Sequence, residues 1–253
     1  MRLRSGYSFG GKVIYSGNIV ELYMYERSVF KGVINNRNGR RGNGNISDED
    51  KAKNREISLS RARRDLRRII NANVGQYGDI RPKFFTCTFA ENVKDLKTAN
   101  MIWSKFIKRL NYRVYGRKCS ELKYGVVPQF QERGAVHYHV VFFNLPYIDC
   151  LELARIWGHG FIKINEIDNI DNVGAYVCRY MSRDFDDERL KGQKTYFFSR
   201  GVKKPKEIYL DYDEIEEIKK TLPDKARCYE AEFQNDYVGT VRYKQYNLSI
   251  LKS

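Results

Sequence analysis

The stretch GVVPQFQERGAVHYHVVFF, residues 125–143, decides how this chain folds. Two apolar, β-branched runs, 122–131 and 135–144, flank Glu132-Arg133-Gly134, which has the length and composition of a tight hairpin turn. Side chains alternate along a strand, so His137 and His139 leave the same face of the sheet. That is how a sheet presents two imidazoles to one ion. If Gln131 pairs with Ala135, Gln129 lies directly opposite His137 on that face, within reach of the same ion.

Moving outward, residues 83–90, KFFTCTFA, predict a buried strand. Residues 91–112 carry Leu96, Ala99, Trp103, Phe106, Ile107 and Leu110 at helical spacing and predict a helix packed on it. A short helix over 149–157, a strand over 161–167 and a helix over 172–182 complete a core. Helices and strands alternate, yet one strand pair is a hairpin. The class is therefore α+β, a central, mainly antiparallel sheet with flanking helices.

Towards the N-terminus, 12–25 predicts two short strands around a Ser-Gly turn, and 35–55, rich in Asn, Gly and charge, predicts a mobile linker. Residues 58–73, SLSRARRDLRRIINAN, place Leu59, Ala62, Leu66, Ile69 and Ile70 on one helix face, with Arg61, Arg63, Arg64, Arg67 and Arg68 over much of the rest. Such a stripe is either a solvated face or a phosphate-binding one, and the overall charge favours phosphate. Beyond the core, 212–221 predicts a helix and 226–248 a hairpin turning near Asn235-Asp236. The expected division is a basic N-terminal extension (1–78), a core (79–190) and a small C-terminal extension (191–253).

The 253 residues carry a formal net charge of +15, of which residues 1–78, with 16 basic and 7 acidic side chains, supply +9. A soluble chain this basic expects a polyanionic partner, nucleic acid foremost. No apolar run reaches the roughly 20 residues of a membrane span, and MRLRSGYSFGGK lacks the apolar centre of a signal peptide. The expectation is a cytoplasmic protein with no membrane partner. Five cysteines with no CxxC pair exclude a disulfide framework and a zinc knuckle, and no GxxxxGK[ST] occurs.

With three histidines in the chain, a pair two apart arises in roughly two or three per cent of shuffled sequences. The pairing is read as metal ligation by His137 and His139, with Gln129 as third ligand ahead of Gln131 or Glu132. A neutral amide is a weaker ligand than a carboxylate. Tyr176 and Tyr180 stand one turn apart on a single helix face, with Arg179 between them to meet a phosphate. A phosphate-seeking protein with these groups has the parts for phosphoryl transfer: a divalent ion polarises a phosphodiester and a phenol oxygen attacks it. His159, in WGHGF, has no partner at ligand spacing and is read as structural or DNA-contacting.

Three motifs within 83–183 resemble the HUH endonucleases that initiate rolling-circle replication in plasmids and single-stranded DNA phages. Lys83-Phe-Phe-Thr-Cys-Thr-Phe is similar to their first motif, QFQERGAVHYH from Gln129 to the metal-binding second, and Tyr176-Val-Cys-Arg-Tyr180 to the third in its two-tyrosine form. The third ligand is often Glu where this chain has Gln129, and the usual lysine between the tyrosines is Arg179. The resemblance implies a metal site on the sheet, with Mg²⁺ or Mn²⁺, and a nucleophile on an adjacent helix. It also implies nicking of single-stranded or hairpin origin DNA, a 5′-phosphotyrosine link and a 3′-OH that primes synthesis. Tyr176 matches the sole nucleophile of single-tyrosine relatives. Without a P-loop, unwinding would fall to a host helicase and synthesis to a host polymerase. An HUH transposase or relaxase shares this chemistry, and a non-enzymatic nucleic-acid-binding protein would share only the charge.

Overall fold

The computed structural model describes residues 6–32, 47–168, 172–182 and 184–251. It is an α+β fold with two five-stranded antiparallel sheets and five α-helices among the described residues. The strands are β1 (Gly6–Ser16), β2 (Ile19–Gly32), β3 (Lys83–Thr88), β4 (Tyr124–Phe130), β5 (Val136–Phe142), β6 (Ile162–Glu166), β7 (Phe197–Phe198), β8 (Lys206–Leu210), β9 (Arg227–Asn235) and β10 (Gly239–Asn247). The helices are α1 (Asp48–Asn73), α2 (Leu96–Tyr115), α3 (Cys150–Trp157), α4 (Val173–Met181) and α5 (Tyr212–Thr221). Two compact units result, one from residues 56–204 and one from 1–55 with 205–253. This division differs from 1–78, 79–190 and 191–253, because the two extensions share a sheet and the second half of α1 packs with the core.

The 56–204 unit is built on a sheet of order β6-β3-β5-β4-β7. Alternation sorts its side chains into two faces. Phe85 and Cys87 of β3, Val126 of β4 and Val136, Tyr138, Val140 and Phe142 of β5 join Trp103, Phe106, Leu110, Leu153 and Trp157 from α2 and α3 in an aromatic-rich core. The opposite face puts Val127 and Val141 against Leu66 and Ile70 of α1 and Val173, Val177, Cys178 and Met181 of α4. The sheet is therefore sandwiched, and the histidines sit on the α1/α4 side.

Local chemistry sets the helix ends. Asp95 caps α2 by accepting from the backbone N–H groups of Lys97 and Thr98, and Gly116, in the left-handed region (φ 67°), ends it. Asp149 and Gly158 (φ 68°) do the same for α3. In the β4–β5 hairpin, Gln131 N–H donates to Ala135 O at 2.8 Å, and Gly134 (φ 86°) takes the conformation that closes the loop.

The other unit has the sheet order β8-β1-β2-β10-β9, with α5 on one face over Val13, Val20, Leu22, Leu210 and Tyr246. The strands expected over 12–25 extend to Gly32, and β2 pairs with β10 in the register Val20↔Tyr246. The linker expected over 35–55 lies outside the described residues up to position 46. From Asp48 it is helix, the acidic first turn of Asp48, Glu49 and Asp50 complementing the helix dipole. The two-residue β7 and the strand β8 were not foreseen from sequence, being too short or too charged to show a period. All five cysteines are free, Cys87 and Cys178 buried. No helix among the described residues is long and apolar enough to cross a membrane.

Candidate active site

The site lies on the α1/α4 face of the 56–204 sheet. The observed register places Gln129 opposite His137 and Val127 opposite His139 on β4, and Thr88 opposite His137 and Thr86 opposite His139 on β3. The expected juxtaposition of Gln129 and His137 is thus present. The two imidazoles meet edge to face, with His137 Nε2 3.1 Å from His139 Nε2. His139 Nδ1 is 3.0 Å from Thr86 Oγ1, and its ring stacks on Phe84 (centroids 5.6 Å, planes 7° apart). The hydroxyl and the stacked ring fix that imidazole.

Burial holds both rings below the ordinary histidine range. His139 is pushed down to about 4, first by desolvation and then by His137. His137 is lowered by desolvation, partly opposed by the carboxylate of Asp184. Both rings are therefore neutral at pH 7, the state in which imidazole binds a cation. His137 Nδ1 is buried without a hydrogen-bond partner among the described residues.

Gln129 is buried, and its side-chain amide Nε2 donates to Tyr180 O at 3.3 Å and Met181 O at 3.2 Å. Two carbonyl acceptors orient the amide without ambiguity. The residue therefore caps the C-terminal end of the tyrosine helix. Its oxygen accepts no hydrogen bond among the described residues and stays available as a weak ligand. Among the described residues no cluster of three His, Cys, Asp or Glu side chains forms a metal site. Two neutral, convergent imidazoles with one amide oxygen fit a divalent ion whose remaining ligands are substrate or water oxygens.

Helix α4 is held at both ends. At its start, Asn172 Oδ1 accepts from Ala175 N–H (2.9 Å) and from Asn71 Nδ2 (3.0 Å), while Asn71 Oδ1 accepts from Gly174 N–H (2.7 Å). A Cβ on Gly174 would stand 2.4 Å from Arg67 O and 2.6 Å from Asn71 Oδ1, so only glycine permits this approach of α1 to α4. At its end, Ser182 Oγ donates to Cys178 O (2.7 Å) and Arg63 Nε donates to Ser182 O (3.3 Å). Tyr176 and Tyr180 project from the held helix, 36% and 48% exposed, with ring centroids 5.4 Å apart in an edge contact. The Tyr180 ring tilts against Phe84 (6.4 Å), whose other contact is His139. Arg179 is exposed between them.

The basic stripe on α1 divides. Arg61 and Arg64 are exposed, with no hydrogen bond or ion pair among the described residues. Arg63 is half-buried, tied to Ser182 and 6.0 Å over the Phe185 ring, and Arg67 is half-buried. Arg68 is buried, with Asp65 at 4.0 Å, and so does not face solvent as a phosphate contact. His159 is exposed, its ring against Trp157 (5.4 Å) and Phe89 (6.3 Å) and its carbonyl accepting from Ala90 N–H at 2.7 Å.

Phe84, Thr86, Asn71 and Asp184 join the site without having been foreseen from sequence. Alternation along KFFTCT was enough to place Phe84 and Thr86 on the histidine face. The roles of Asn71 and Asp184 depend on partners 46 or more positions away and leave no local signal.

Fold and site together define a basic α+β protein with paired neutral histidines on a sheet and paired tyrosines on a helix fixed beside it. Residues 82–185, less than half of the chain, match a family model of replication-associated proteins of the ORF2 type, a match consistent with a replication initiator. His137, His139, Gln129, Tyr176 and Tyr180 all fall within the matched segment. No curated protein and no solved structure matches the chain.

Proposed function

We propose that this protein initiates DNA replication by nicking single-stranded or hairpin origin DNA through a tyrosine of α4. The observation that carries the reading is the pair of neutral imidazoles with Nε2 atoms 3.1 Å apart, linked through Phe84 to the tyrosine helix. A divalent ion, Mg²⁺ or Mn²⁺, bound by His137 and His139 with the Gln129 oxygen, would polarise the scissile phosphate. Tyr176 Oη attacks phosphorus and the bond to the 3′ oxygen breaks. The phenol proton passes to water, and the departing oxygen takes up a proton to become a 3′-OH. The 5′ phosphate remains on the tyrosine. Arg179, on the same helix, stabilises the charge that builds on the phosphate oxygens. Tyr180 serves the second cleavage that rejoins the strand. The exposed arginines of α1 add sequence-independent affinity, and host helicase and polymerase carry out unwinding and synthesis.

The test is incubation with single-stranded origin DNA and Mn²⁺, followed by a denaturing gel and peptide mapping. A DNA adduct on Tyr176, lost in Tyr176→Phe and in His137→Ala, is the expected result. Metal-independent adducts, or none in the wild type, would overturn the reading.

A further inference from the structure

The row of side chains that carries the histidines does not stop at β3. It continues onto β6, the edge strand of the sheet. Thr86 is paired with Lys163, and Thr88 N–H and Oγ1 both donate to Phe161 O, at 2.9 and 3.2 Å. Ile162 and Ile164 turn into the aromatic core, so Phe161 and Lys163 face the other way, with the histidines. Two strand spacings separate them from His137 and His139, about 10 Å.

Phe161 is 69% exposed, an unusual position for a large apolar ring. Its backbone is nonetheless fixed. Besides the two bonds from Thr88, the preceding Gly160 (φ 149°) presses so close to β3 that a Cβ there would stand 2.6 Å from both Thr88 O and Ala90 N. Trp157 Nε1 donates to the same Thr88 carbonyl at 2.9 Å, anchoring the turn from below. A rigid, exposed aromatic ring beside an exposed lysine, in a strongly basic protein, matches the chemistry of a stacking platform for single-stranded nucleic acid. The WGHGF turn is thereby explained. Trp157 is the buried anchor, Gly158 and Gly160 shape the turn, and Phe161 is what it presents.

We propose that Phe161 and Lys163 form a nucleotide seat on the sheet edge beside the active site, a base of single-stranded DNA stacking on the Phe161 ring and its phosphate meeting the Lys163 ammonium. This rests on the nicking reading for its substrate and adds where the strand leaves the histidines. Stacking tolerates any base, so the seat orients the strand without reading its sequence.

The experiment measures binding of fluorescein-labelled oligothymidine in EDTA, with neither metal nor cleavage, by anisotropy. Phe161→Ala should weaken binding by about 5- to 100-fold, and Lys163→Gln should lower the salt slope by about 0.7. In Phe161→Trp, the added indole is the exposed one, since Trp103 and Trp157 are buried. Its emission should be quenched as oligothymidine saturates the protein. Phe161→Ala binding as tightly as wild type, or unchanged Phe161→Trp emission at saturation, overturns the seat. Thermal melting checks that the variants fold, and if Phe161→Ala does not, the tryptophan signal decides. Weakened binding in Phe161→Ala with no adduct formed by the wild type supports the seat and removes the nicking reading. Normal adduct formation with unweakened Phe161→Ala binding removes the seat alone.

Discussion

At the scale of single residues, Gln129 has two duties that pull on one amide. Its nitrogen holds the carbonyls of Tyr180 and Met181, and its oxygen is what remains for an ion. Gln129→Glu removes both donors and sets a carboxylate against the negative end of α4. The variant should lose about 1–3 kcal/mol of stability in EDTA, with lower adduct yield on both tyrosines. An unchanged melting temperature would show that the amide does not hold the helix. The histidines give a second expectation. His139 has its folded value lowered to about 4 from an unfolded value near 6.5, so between those values the unfolded chain binds the extra proton. Stability of the metal-free protein is then full above about pH 6.5 and falls as the pH drops towards 4, by up to about 3 kcal/mol. His139→Phe, which keeps the ring on Phe84, should flatten that acid limb in urea titrations. The hairpin made Gln129 and His137 legible as neighbours. The capping role of the amide was not legible, because its acceptors are 51 and 52 residues away.

At the scale of elements, α1 is the support of the tyrosine helix as much as a basic surface. Its apolar stripe was readable from spacing, and Leu66 and Ile70 are buried against α4. The arginines were not separable by sequence, since a stripe of five covers both the packed flank and the open one. Neutralising Arg61 and Arg64 together should lower the salt slope of single-strand binding by about 1.4. Arg68→Gln should instead lower the melting temperature, because that side chain is buried. The clamp at the start of α4 yields a further test. Asn71→Ala leaves Gly174 N–H without its acceptor and should cost about 1–3 kcal/mol, and Gly174→Ala forces α1 and α4 apart at a comparable cost. In both variants metal-dependent adduct formation should fall further than DNA binding, which gel and anisotropy measurements compare directly. Equal losses would mean that α1 does not position the tyrosines.

At the scale of the molecule, the sheet of the second unit draws strands from both sides of the core in sequence: β1 and β2 precede it, and β8, β9 and β10 follow it. Local periodicity showed each hairpin but not that they join, since the β2–β10 register links residues more than 200 positions apart. A protein cut after residue 204 should keep the fold of 56–204 and its adduct chemistry. It should lose protection of 6–32, because β1 loses β8 and β2 loses β10 as neighbours. Hydrogen exchange and limited proteolysis would read this, and an undiminished N-terminal sheet would show that the hairpin stands alone. The shared sheet also sets a schedule. At about 5–20 residues per second of synthesis, the hairpin made first waits roughly 10 to 40 s for its partner strand β10, while the core between them is already complete. The tyrosine helix is thus in place, on the ribosome, before the sheet of the second unit closes.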